Sequence, residues 1–183
     1  MKKGFTLVEL LVTITIIGIL ASIGLNTFTS AQKKSRDAKR KAYLRQITDA
    51  LEAYHNDNGE YPASADDGSG KIKGCGAESK VICAWGEIFS DTTPTPNTVY
   101  MVEMPEDPTV GNTFYYNATP HPISTLNTKF QLYARLENEK DKDVPKNIDG
   151  EAQVYPITDC GSSRACNYGI SSSNTTLPTP EDE

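Results

Sequence analysis

The chain has 183 residues, 37% of them hydrophobic, and a net charge of −6. That is too little apolar sequence for several membrane spans, and enough chain for one core with something extra. Residues 1–45 hold nine Lys/Arg against two Asp/Glu, while residues 46–183 hold nine against twenty-two. So acidic a bulk makes a poor non-specific nucleic-acid binder, because phosphate contacts need cations.

Met1–Gly4 form a short polar leader carrying Lys2 and Lys3. "GFTLVELLVTITIIGILASIG" follows at once. Phe5–Leu25 would be roughly 31 Å long as a helix, about one hydrocarbon core. It carries a carboxylate, Glu9, and two glycines, Gly18 and Gly24, which are expected soft points at roughly 1 kcal/mol each against Ala. From Asn26 to His55 there is neither Pro nor Gly. Leu44, Ile47, Leu51 and Tyr54 share one helix face. "DNGEYP" supplies a stop, with Gly59 as left-handed cap and Pro62 beyond it. The pattern predicts one helix from about Leu7 to about Asn56, apolar first and amphipathic after. The basic run "KKSRDAKRK" (Lys33–Lys41) reads as a solvated or neighbour-facing surface of that helix, with contact to anionic lipid or nucleic acid as the alternatives if it is exposed.

After Pro62 the texture changes. "ASADDGSGKIKGCGAESK" is a Gly/Ser/Asp loop. "VICAWGEIFS", "NTVYMVEM" and "QVYPI" are candidate short elements. "NTFYYNAT" and "KFQLYARLEN" are the clearest strands, with Phe130, Leu132, Ala134 and Leu136 on one face. The end, "GISSSNTTLPTPEDE", reads as a disordered Ser/Thr/Pro tail. The expected fold class is α+β: a long amino-terminal helix packed on a small antiparallel sheet. The expected parts are a leader 1–4, an apolar helix half 5–25, an amphipathic half 26–58, a head 59–170 and a tail 171–183.

Four cysteines fall in two close pairs, Cys75/Cys83 and Cys160/Cys166, without CxxC spacing, so zinc is not expected. Outside the cytoplasm three disulfide connectivities exist, and the two short local loops are favoured. No P-loop, GxSxG, HExxH or GxGxxG is present. His55 ends the long helix, and His121 lies between two prolines. No catalytic residue is assigned and no enzyme is expected. Asn117 and Asn174 fit the glycan sequon, as chance allows.

Three readings of the amino terminus compete. A secretory signal would have a shorter apolar core and a small-residue cleavage site. A plain anchor explains the length but not Glu9, and it leaves the cation cluster on the outer side. The third rests on resemblance. "KKGFTLVELL" resembles the processing site of type IV prepilins and type II secretion pseudopilins. "AYLRQITDALEAYHNDNGEYP" is similar to the end of the long helix in major pseudopilins, and "MPEDPTVGNTFYYN" and "YARLEN" resemble segments of their sheet. Where many relatives have a proline in the apolar segment, this chain has Asn26.

The resemblance implies cleavage by a prepilin peptidase between Gly4 and Phe5, and N-methylation of Phe5. It implies a single-pass inner-membrane precursor with an extracytoplasmic head, then assembly into a homo-oligomeric pilus or pseudopilus filament. The further partners implied are an inner-membrane platform protein and an assembly ATPase, with nucleic acid not expected. The Phe5 amine of one subunit would then meet Glu9 of a neighbour, two charges that are each a liability alone in lipid. No cofactor is expected. Major pseudopilins carry calcium in their sheet loops, and "LENEKDKD" offers the oxygen ligands Glu137, Glu139, Asp141 and Asp143, although without EF-hand spacing. A competence pilin and a non-filament, membrane-anchored binding domain are the alternatives.

Overall fold

The computed structural model describes residues 4–77, 80–92, 97–156 and 158–182, with the side chains of 23–27 outside that description. One helix, α1, runs Leu7–Asn58 without interruption at Gly18 or Gly24. It is about 78 Å long at 1.5 Å per residue. Thr6 caps its start in extended conformation. At its end Gly59 turns left-handed, with φ 74°, and its N–H donates to the His55 carbonyl at 2.8 Å. The helix therefore stops where a residue without Cβ can reverse the chain.

The two halves of α1 have different surroundings. Phe5, Leu7, Val8, Leu10, Leu11, Ile14, Ile17 and Leu20 are exposed. Among the described residues, no helix is both long and apolar enough to cross a membrane. The described side chains of the apolar half, Leu7–Ser22, span about 24 Å, short of the roughly 30 Å core; the side chains that would complete the expected span lie outside the described residues. In the second half Leu44, Ile47, Leu51 and Tyr54 are buried, as their spacing requires, and Ala50 joins them.

Among the described residues ten short strands follow: β1 (Ala63–Ser64), β2 (Ile72–Cys75), β3 (Val81–Ile82), β4 (Phe89–Asp91), β5 (Thr98–Met101), β6 (Tyr115–Pro120), β7 (Asn127–Ala134), β8 (Gln153–Val154), β9 (Tyr168–Ser171) and β10 (Glu181–Asp182). They pair antiparallel as β1-β2-β3, β4-β5, β6-β7-β9 and β8-β10. The fold is α+β. β6 and β7 form a hairpin with Tyr116 opposite Leu132 and Ala118 opposite Phe130. Phe130, Leu132, Ala134 and Leu136 are all buried on the face turned to α1, beside Phe89, Met104, Phe114 and Tyr116.

Two differences from the expected sheet stand out. β7 is covered on both faces, so Tyr133 is also buried, against Tyr155, Cys160, Cys166 and Leu177. The segment expected as a disordered tail supplies part of that cover. Leu177 packs there, Gln131 donates to the Thr176 carbonyl at 2.7 Å, and β10 pairs with β8. A Ser/Thr/Pro-rich composition predicts disorder when a segment has nothing to bury. This one has a leucine, a tyrosine face to cover and carbonyls that meet donors. Both disulfides close local loops, Cys75–Cys83 and Cys160–Cys166.

Leu51→Ala removes a fully buried side chain from the helix–sheet seam. It is expected to cost about 2–5 kcal/mol, read from urea unfolding followed by the fluorescence of the single tryptophan. A loss well under 1 kcal/mol would mean that the head does not depend on that seam.

Candidate functional site

Two places on α1 carry chemistry, one at its start and one where it enters the head. At the start, Thr6 and Glu9 form a reciprocal cap. The Glu9 N–H donates to Thr6 Oγ1 at 3.2 Å, and the Glu9 carboxylate accepts from the Thr6 N–H at 2.9 Å and the Thr6 hydroxyl at 2.8 Å. This satisfies two of the backbone donors that a helix start leaves open, and it sets an acid against the positive end of the dipole. Gly4 and Phe5 precede the helix in exposed, non-helical backbone, with open space around the Gly4 Cα. The Gly4–Phe5 peptide bond is thus presented outside any secondary structure. Lys2 and Lys3 of the expected leader lie outside the described residues.

Where α1 meets the head, the basic run is not the solvated surface that its composition suggested. Asp37 and Arg40, at i and i+3, both turn inward and are buried. Arg40 donates to Asp37 at 2.8 Å, to both Asp107 oxygens at 2.7 and 2.8 Å, to Glu137 at 2.9 Å and to the Thr109 hydroxyl at 2.8 Å. Its side chain is 0% exposed, and that of Asp107 only 1%. Arg36 makes a forked pair with Glu137 at 2.7 and 2.5 Å. Asp37 also accepts the backbone N–H groups of Glu137 and Asn138, each at 2.9 Å. One turn higher, Lys41 reaches Asp141 at 2.5 Å and Asp143 at 2.7 Å, with its ammonium over the Tyr168 ring. Lys33, Lys34 and Lys39 do remain exposed, as expected.

The cause is steric and electrostatic. A guanidinium carries five donors in a fixed plane, and only a site with several carboxylates can desolvate it without a large penalty. Asp107 is delivered by the turn that follows Pro105, where it also accepts the Thr109 N–H at 2.8 Å. Burial works against the Arg40 charge, but its bonds to Asp107, Glu137 and Asp37 outweigh this and hold its pKa above the ordinary value. The Arg36 bond, helped by Arg40 and opposed by partial burial, draws the Glu137 carboxyl down to about 2. Burial likewise opposes the Asp141 and Lys41 charges, and the bonds between the two outweigh it, so the acid is shifted down and the amine up.

The four carboxylates considered as calcium ligands are therefore spread over cations. Glu137 faces Arg36 and Arg40, Asp141 and Asp143 share Lys41, and Glu139 lies 3.7 Å from Arg135. Among the described residues, no three Asp, Glu, His or Cys side chains come together as a metal site. Asp37, Asp107 and Thr109 were not singled out from sequence. The signals were present: an Asp-x-x-Arg pair on the buried helix face, and an aspartate held between Glu106 and Pro108.

Comparison with known proteins picks out the first of the two places. A model described as the prokaryotic N-terminal methylation motif matches residues 1–25. The type IV wide pilus major component PilA4 of Thermus thermophilus is 40% identical over 62 residues, 34% of this chain and 47% of that protein. The amino-terminal third resembles the type IV pilin and pseudopilin family. The type II secretion system core protein G of Escherichia coli is 35% identical to this pilin-like segment over 63 residues, 43% of its own length. The same protein of Dickeya chrysanthemi is 29% identical over 112 residues, 58% of this chain and 63% of its own. The chain spans less than half the length of the first two relatives. No solved structure matches.

Arg40→Met would leave the buried Asp37 and Asp107 side chains without their cation. Unfolding in urea is expected to show a loss of roughly 3–5 kcal/mol. Glu137 has a folded pKa near 2 against an ordinary 4.5, so its stabilisation is complete above about pH 4.5 and fades as pH falls toward 2. Glu137→Gln should therefore be less stable than the wild type at neutral pH, with the gap closing between pH 4.5 and 2. A gap that stays constant with pH would rule out this assignment.

Proposed function

We propose that the chain is a structural subunit of a type IV pilus-like or type II secretion pseudopilus filament. Its precursor is held in the membrane by the first half of α1, with the head on the far side. A prepilin peptidase cuts between Gly4 and Phe5 and methylates the new amine, and the processed helices then bundle into the filament core.

One observation carries this reading. An apolar rod from Phe5 onward has large hydrophobic side chains exposed along its length, behind a methylation-motif amino terminus. Exposed apolar area on this scale marks a surface that belongs against lipid or protein. The unprocessed Glu9 is occupied by Thr6 of its own chain. In an array of staggered rods it meets a neighbour's charged Phe5 amine instead, and the pair is favourable where dielectric is low. Glu9 thereby rewards docking and sets register, with no catalytic role. The parts assigned are the leader 1–4, the core-forming half 5–25, the head-bearing half 26–58 and the head that follows. Copies of itself, the peptidase, a platform protein and an assembly ATPase are the partners this function requires.

Mass spectrometry of the mature protein is expected to find methyl-phenylalanine at the terminus. An intact Met1, or a start near Gly24, would overturn the assignment. Glu9→Ala is expected to leave cleavage and membrane insertion intact while filaments sheared from cells fall at least ten-fold. Normal filament yield from that variant would remove Glu9 from assembly.

A further inference from the structure

The head covers only one side of the second half of α1. On the opposite side Ala31, Ser35, Ala38, Ala42, Arg45 and Asp49 recur at intervals of four and three residues, and all six are exposed. That alternation keeps them in one line along the rod. The first four are small and allow another rod to come close. The last two are charged. Although Arg45 and Asp49 lie one turn apart, no ion pair joins them among the described residues. A cation placed before its acid is the weaker order on a helix. Glu52, the next acid along, already accepts the Tyr61 hydroxyl at 3.0 Å.

Position along the rod supplies the partner. A neighbour's Phe5 amine comes level with Glu9 when that neighbour is shifted toward the head by four residues, about 6 Å. The same shift brings the neighbour's Arg45 level with Asp49, forty residues further along, or about 60 Å. We propose that the uncovered face of α1 docks on a second copy of this chain, with Arg45 of one copy paired to Asp49 of the other. This rests on the filament reading and adds a second register contact to it. Parallel rods with no shift would set Arg45 against Arg45, Asp49 against Asp49 and Glu9 against Glu9, and like charges brought together are strongly disfavoured. The two pairs do different work. A contact at Phe5 and Glu9 alone sets the height of one rod end and leaves the far ends free to splay. A second contact with the same offset holds the rods parallel up to the level of the heads.

The test uses the full chain in its own host, with filaments sheared from cells as the readout. Arg45→Asp and Asp49→Arg are each expected to lower the yield about ten-fold, because every contact then sets two like charges together. The exchange variant, R45D with D49R, restores opposite charges at the same offset and is expected to recover roughly half of the wild-type yield or more. Asp149→Arg, the same charge change on an exposed loop of the head, should leave the yield unchanged. When chains bearing Arg45→Cys and chains bearing Asp49→Cys are expressed together, oxidised filaments are expected to hold mixed disulfides between positions 45 and 49 in preference to either like pair.

Normal filament yield from both single variants overturns the interface and spares the filament reading. Loss in both without recovery in the exchange variant overturns the pairing. An equal loss in Asp149→Arg reduces the effect to net charge and overturns the pairing as well. Cross-links from position 45 to position 45 of another copy, or to a different protein, assign the face to another register or occupant and overturn the proposal. Wild-type cells that form no filament and keep Met1 overturn the filament reading and this inference together.

Discussion

One buried cation organises this molecule. A helix with an apolar stripe can pack on a sheet in several neighbouring registers, since hydrophobic contact is non-directional. Arg40 removes that freedom. Its fork meets Asp37 from its own helix, Asp107 from the turn before β6 and Glu137 from the segment after β7. The cation is tolerable in the interior only when all three arrive together, so the helix, the turn and the strand exit are tied to a single geometry. Asp37 extends the tie to the backbone by accepting the N–H groups of residues 137 and 138. The apolar seam of Leu44, Ile47 and Leu51 supplies adhesion, and the ionic cluster supplies alignment.

The helix and hairpin were legible because their signals are local and periodic. Gly59 stops α1 through its own backbone freedom, and Leu44, Ile47, Leu51 and Tyr54 needed only their spacing to be placed on the buried face. β7 was readable on its inner face for the same reason. Its outer face was not, because Tyr133 is buried by residues about twenty to forty-five positions downstream, in a segment whose composition favours water. The cation run misled for the opposite cause. Lys33 to Lys41 looks uniform in sequence, yet helical geometry sends Arg40 inward and leaves Lys34 and Lys39 in solvent. Composition cannot separate them, since the deciding partners, Asp107 and Glu137, lie 67 and 97 residues away.

The resemblance to pilins and the structure of the head divide the chain between them. The matched segment is the rod, and Glu9 within it is committed to Thr6 by a capping box of the kind that ordinary helix starts use. The head is held by other means: two local disulfides, a seam of aromatics that joins Tyr54, Phe89 and Tyr100, and the charged cluster. The described apolar half of the rod leaves its large side chains exposed, whereas the head buries its own.

The position of the ionic cluster on α1 has a mechanical consequence. Arg36, Arg40 and Lys41 engage the head within a turn and a half of one another. Sliding the helix by a single turn, about 5.4 Å, would carry every one of these cations past its carboxylate and into contacts it cannot make. An axial pull is therefore opposed by directional bonds sheared together, while the greasy seam above them could creep. The head hangs on its rod by a small set of teeth, and tension reaches it through them first.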